Sequence, residues 1–213
     1  MRYQTPISVH VDLFRYWDSK RAGRTMPAKR DIDPTEIPQL IPHIAIIDRI
    51  EDRFRYRLVG TTISQELGKE LTGQLVGSYV GPAHYAAAVI DIYEHVFATR
   101  TPVFTTGEYR TASDLTQSIS RLLLPLSEDN SAVNMVMLSR VVRFNRNLRF
   151  GRDWLKGAPG QVRSTTDVQT LAEVEHQCSE WDARLASEDD LLHHLPQTSP
   201  AGDRTHLARP GVP

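Results

Sequence analysis

Ile44-Ala45-Ile46-Ile47-Asp48-Arg49-Ile50, Glu51-Asp52-Arg53 and Phe54-Arg55-Tyr56-Arg57-Leu58-Val59 read as two strands joined by a tight polar connection. The first run is β-branched and apolar. The second alternates, with Phe54, Tyr56 and Leu58 on one face and Arg55 and Arg57 on the other. This is a hairpin with one buried face.

Gly60 ends the hairpin, and Thr61 to Leu67 suits a short helix. Gly68, Gly73 and Gly77 punctuate the loop that follows. From Pro82 to Thr99 the chain is an amphipathic helix, with Tyr85, Val89, Ile92, Tyr93 and Val96 on one stripe. Pro102 stops it. Strands follow at about Val103–Arg110, Gln117–Leu126 and Ala132–Phe144, the last two joined by the turn Ser127 to Ser131. Upstream, Val11, Phe14 and Trp17 mark a helix from about Val9 to Arg21, with Ser8 as its N-cap. Asp33-Pro34-Thr35-Glu36 looks like a second, short capped start. A hairpin, a helical crossover and three antiparallel strands predict an α+β domain: a five-stranded antiparallel sheet with helices on one face.

The chain divides near Phe150. Residues 1–150 are expected to form the domain and 151–213 an acidic extension. The extension has net charge −4 and the body +3. It is rich in Pro, Gly and Ser, and only a helix at about 167–187 is expected to be ordered. There Leu171, Val174, Cys178, Trp181 and Leu185 fall at alternating spacings of three and four. That stripe must be covered by its own domain, a twin chain or another protein.

The whole chain of 213 residues is nearly neutral, at −1. Nucleic-acid binding through bulk charge is therefore disfavoured. The single cysteine, Cys178, excludes an intramolecular disulfide and fits a reducing compartment. The start carries no apolar signal core, and no apolar run approaches the ~20 residues of a membrane span. A soluble, cytoplasmic protein is expected.

The block Leu13-Phe14-Arg15-Tyr16-Trp17-Asp18-Ser19-Lys20-Arg21, followed by Gly23-Arg24 and Met26 to Pro34, resembles a family of PAS-like domain proteins best known from alphaproteobacteria. The Pro-rich stretch Ile37 to His43, the strand Arg55 to Gly60, Leu71-Thr72-Gly73 and Arg121 to Ser127 extend the likeness over about residues 12–150. The resemblance implies a PAS-like fold and a role in sensing or protein interaction. It implies no particular ligand, and no cofactor is named. Nothing after Phe150 has the length or apolar content of an effector domain, so output is expected to pass through a partner protein.

A PAS fold would hold a ligand between the concave sheet face and the covering helices. The candidate lining residues are Tyr56, Leu58, His84, Ala88, Tyr109, Arg121 and Met137. Arg121 is the sharpest, because its strand is otherwise Ile and Leu and a buried Arg needs an anionic partner. That partner is a ligand carboxylate or phosphate, or a protein acid such as Asp48 or Glu108. Strand alternation leaves open which way Arg121 points. For protein contacts, including a homodimer, the candidates are Phe14, Trp17, Leu171, Val174, Trp181 and Leu185. By analogy, PAS domains pair through an N-terminal helix.

Other chemistry is weakly represented. His84 and His95 lie about three turns apart on one helix and cannot share a metal. His193-His194 and the pair His176 and Cys178 have poor ligand spacing. No Gly-x-Ser-x-Gly elbow, Gly-x-Gly-x-x-Gly or P-loop occurs. The basic stretch Arg15, Lys20, Arg21, Arg24, Lys29 and Arg30 suits phosphates or an acidic partner, or else a solvated helix face. The expected function is a non-enzymatic sensory or regulatory module that binds a small ligand. A ligand-free interaction adaptor is the second reading, and an enzyme with an unrecognised site the third.

Overall fold

The structure is a computed structural model that describes residues 6–78, 83–110, 116–129, 131–144 and 161–193. In chain order the elements are α1 (Pro6–Arg21), β1 (Ile44–Ile50), β2 (Arg53–Val59), α2 (Thr61–Leu67), α3 (Ala83–Thr99), β3 (Val103–Arg110), β4 (Thr116–Leu126), β5 (Met135–Phe144), β6 (Gln161–Asp167) and α4 (Leu171–His193). Three single 3₁₀ turns, Lys29–Asp31, Pro34–Glu36 and Ile41–His43, lie between α1 and β1.

The strands form one sheet in the order β2-β1-β5-β4-β3-β6, every pairing antiparallel. The first strand lies beside β5, as a PAS-like order requires. The expected five strands become six, because β6 adds to the free edge of β3. Its sequence, Gln161-Val162-Arg163-Ser164-Thr165-Thr166-Asp167, holds one apolar residue. An edge strand pairs through its backbone and needs little apolar content, so the hydrophobic pattern passes over it.

Helices cover both faces. On one side α3 lays Tyr93 and Phe97 against Phe54, and α2 reaches the same side through Glu66, which pairs with Arg140. On the other, α1 packs across β4 and β5, and α4 packs on α1. Both faces are therefore buried. Ala45, Ile47, Phe54 and Leu123 face α2 and α3; Phe104, Leu122, Leu124 and Val141 face α1 and α4.

Local chemistry sets the joints. α1 begins at Pro6, ahead of the expected Ser8 cap. Proline suits a first turn, whose N–H groups have no intrahelical acceptor. Trp17 is buried and its Nε1–H donates to Pro125 O at 2.8 Å, fixing α1 to β4. Gly60 N donates to Ile44 O at 2.8 Å, closing the open end of the hairpin. A Cβ at Gly60 would stand 2.3 Å from the carbonyl oxygens of both Ile41 and Pro42, so only glycine fits there. The outer edge of β2 is covered by the 73–76 loop, through Tyr56 N to Gln74 O at 2.9 Å and Val76 N to Phe54 O at 2.8 Å. β5 starts at Met135, later than expected. Before it the chain is held in a turn by the Asp129 carboxylate, which accepts from Ser131 N at 2.9 Å and Ala132 N at 3.3 Å. The segment after His193, expected to be disordered, lies outside the described residues.

Candidate functional site

Arg121 and Arg140 are direct cross-strand partners on β4 and β5, and Thr105 on β3 is the other partner of Arg121. Partners in an antiparallel pair share a face. The face is settled by Arg140, whose guanidinium pairs with the Glu66 carboxylate on α2. All three side chains therefore stand on the side covered by α2 and α3. Arg140 is only 5% exposed and Thr105 is fully buried. Among the described residues Thr105 Oγ1 has no hydrogen-bond partner. Burial pushes the Glu66 carboxyl up, and the Arg140 charge opposes that shift. The centre of this sheet face is thus a polar row within an apolar surround.

The protein acids considered for Arg121 lie on the opposite face. Asp48 is held by Arg55 at 2.6 Å and Arg57 at 3.4 Å, and these arginines, Arg55 first, keep its carboxyl below the usual range. Glu108 pairs with Arg163 at 2.7 Å.

The other lining candidates separate. Tyr56 is buried on the α3 side, beside Phe54 on the same strand, and Ala88 is half-buried on α3. Two need correction. Leu58 does not share a face with Tyr56. The ladder runs Ile46 to Leu58 and then Ile47 to Tyr56, so Arg57 is an extra residue in a β-bulge. The bulge turns Leu58 outward, where it is 42% exposed. Met137 pairs with Leu124 and Ile46, placing it on the α1 side, opposite Arg121. The side chains of His84 and Tyr109 lie outside the described residues.

Arg140, Glu66 and Thr105 were missed by sequence reasoning. Arg140 carried the same signal as Arg121: one arginine in Met135-Val136-Met137-Leu138-Ser139-Arg140-Val141-Val142. Also missed was His10. It is buried under α1, its Nδ1 2.7 Å from Ser139 Oγ and its Nε2 2.9 Å from Ser120 Oγ. Its ring meets Phe104 edge-on at 5.5 Å. Burial lowers its pKa to about 3, so the ring is neutral, one nitrogen donating and the other accepting.

The contact candidates are spent inside the chain. Phe14, Trp17, Val174 and Trp181 are buried, and Leu171 and Leu185 are half-buried against the same core. The stripe of α4 is covered by its own domain. Arg15 bonds Glu175 at 2.9 Å, and Arg143 pairs with Asp182 while lying over the Trp181 ring. Cys178 is buried there, and burial pushes its thiol up to about 12. The basic stretch is largely neutralised: Lys20 pairs with Glu36 at 2.5 Å, Arg24 with Asp31 at 2.5 Å, and Arg21 with Asp18. Among the described residues no group of three or more His, Cys, Asp or Glu is placed to hold a metal, and no helix is long and apolar enough to cross a membrane.

A strand order of 2-1-5-4-3 with α2 and α3 over one face and the terminal helices α1 and α4 over the other is that of a PAS-type domain. A family model described as PAS domain matches residues 7–138, more than half of the chain. The chain belongs to the PAS domain family, whose members are sensory and signalling modules. Among solved structures it is similar to an RNA-binding light-oxygen-voltage receptor, at 14% identity and a TM-score of 0.38. The match covers 79% of this chain and 42% of the receptor chain, so this chain spans less than half of that length. Among curated proteins no match is found.

Proposed function

We infer that this PAS domain is a non-enzymatic, cytoplasmic sensory module. It binds a small molecule between the sheet and the α2–α3 layer and signals through a partner protein. The polar row Thr105, Arg121 and Arg140 carries this reading. Burying the Arg140 guanidinium and the Thr105 hydroxyl, with Arg121 half-buried between them, where aliphatic side chains would pack is costly for stability. An apolar row would serve a mere scaffold as well. The charged row supports a binding role on the face where PAS folds hold their ligands.

Native mass spectrometry of the purified chain beside its denatured mass tests the reading. Excess mass lost on denaturation is the expected result and gives the mass of the ligand. A bare chain whose melting temperature also ignores small metabolites would move the function to a ligand-free adaptor. Such a protein would act through α4 and the surface around it.

A further inference from the structure

The geometry points to a small oxyanion, the carboxylate or phosphate of a soluble ligand, as the group this site takes, held by Arg121 and Arg140 with the Thr105 hydroxyl beside them. This rests on the reading of the α2–α3 face as a ligand site. Three observations meet in it.

First, the two guanidiniums are register partners on adjacent strands, and Thr105 is the partner of Arg121 on the next strand. Cβ atoms of such partners stand roughly 4.5–5.5 Å apart. Guanidiniums so placed can both turn an N–H edge to one oxyanion lying between them. Planar guanidiniums match carboxylate and phosphate oxygens two at a time.

Second, Arg140 already holds a carboxylate, that of Glu66. The position is therefore suited to one. The Glu66 carboxyl sits in surroundings where burial disfavours its charge. A ligand oxyanion reaching Arg140 would compete with Glu66 for that guanidinium.

Third, Thr105 is fully buried and its hydroxyl makes no hydrogen bond among the described residues. Orphaned buried hydroxyls are rare in folded proteins. A ligand oxygen next to Arg121 would satisfy it.

The test is thermal unfolding of the full chain in inorganic phosphate, acetate or succinate, against chloride at equal ionic strength. Binding to the folded state raises the melting temperature with ligand concentration. A rise with phosphate alone assigns a phosphate ligand; a rise with acetate or succinate assigns a carboxylate ligand. In Arg121→Met the apparent Kd rises at least about tenfold, the usual loss for a charged hydrogen bond. Thr105→Val, nearly the same shape, keeps the fold and weakens the anion by a smaller factor. If Arg121→Met does not fold, Thr105→Val alone decides. Equal responses in wild type and Thr105→Val, or in wild type and Arg121→Met, would place the anion elsewhere, such as Lys29 and Arg30, and overturn the assignment. A flat response to every oxyanion would do the same. A neutral copurified molecule would overturn the oxyanion but leave the sensory reading standing.

Discussion

His10 and Ser120 are joined across the helix–sheet boundary by a 2.9 Å hydrogen bond, and the next residue, Arg121, faces the other side of the sheet. The same holds for Ser139, 2.7 Å from His10, and its neighbour Arg140. One neutral imidazole from α1 thus spans the backs of the two strand positions whose fronts carry the guanidiniums.

That imidazole makes folding sensitive to acid. Its pKa is about 3 in the fold, against 6.5 for an ordinary histidine, because burial disfavours the charged ring. Between these values the unfolded chain binds the proton and the folded chain does not. The contribution of His10 is therefore complete above about pH 6.5 and declines as pH falls, by ~1.4 kcal/mol per unit. Urea titrations at pH 7, 6 and 5 should show this slope. His10→Gln, which keeps neutral hydrogen-bonding groups, should flatten it between pH 6.5 and 5. An identical slope in the variant would show that other groups govern the acid response.

The bulge at Arg57 predicts unequal costs along one strand. Leu58 is exposed, so Leu58→Ser should change stability by no more than ~0.5 kcal/mol. Phe54 is buried against Tyr93 and Phe97, so Phe54→Ala should cost about 3–5 kcal/mol. Denaturant midpoints decide it. If Leu58→Ser were as damaging as Phe54→Ala, the plain alternation of the sequence would be right and the bulge wrong.

Leu58 also shows where sequence reading stops. Strand existence follows from composition and period, and β1 to β5 were all legible. The face of a residue follows from pairing parity, which one inserted residue reverses. Leu58 was lost to that reversal. Met137 was lost because β5 is apolar on both faces, so nothing in its own sequence says which face is which. Arg121 was undecided for the same reason: Ile119 and Leu123 flank it on one face, Ser120 and Leu122 on the other. Only the partner strand resolves it, through Arg140 and Glu66. β6 was invisible because an edge strand held by backbone pairing need not be hydrophobic.

The docking of α4 makes Cys178 a probe of that helix. Its thiol is buried and, with the pKa near 12, almost wholly protonated at neutral pH. Thiolate is the reactive form, so disulfide reagents should label the native protein far more slowly than the urea-unfolded chain. Trp181→Ala removes a buried ring beside the thiol and should cost about 3–5 kcal/mol and speed labelling. Fast labelling of the native wild type would mean that α4 is not held as described.

The same thiol can report whether the two faces communicate. An oxyanion drawn between Arg121 and Arg140 would pull β4 and β5 together at those positions. Ser120 and Ser139 are their immediate neighbours, so the span that His10 bridges would change with them. α1 carries His10, and α4 rests on α1 through Arg15 and Glu175. A bound anion favouring one arrangement of the strands would therefore bias the α1–α4 layer toward the state that fits it. Saturating phosphate or succinate, whichever raises the melting temperature, should change the Cys178 labelling rate. The change should vanish in Arg121→Met. In His10→Phe, which keeps a ring against Phe104 but bonds neither serine, anion binding should persist while the labelling response is lost. Anion binding that stabilises the wild type yet leaves labelling unchanged would sever the two faces, and the output would have to leave through α2, where Glu66 meets the site.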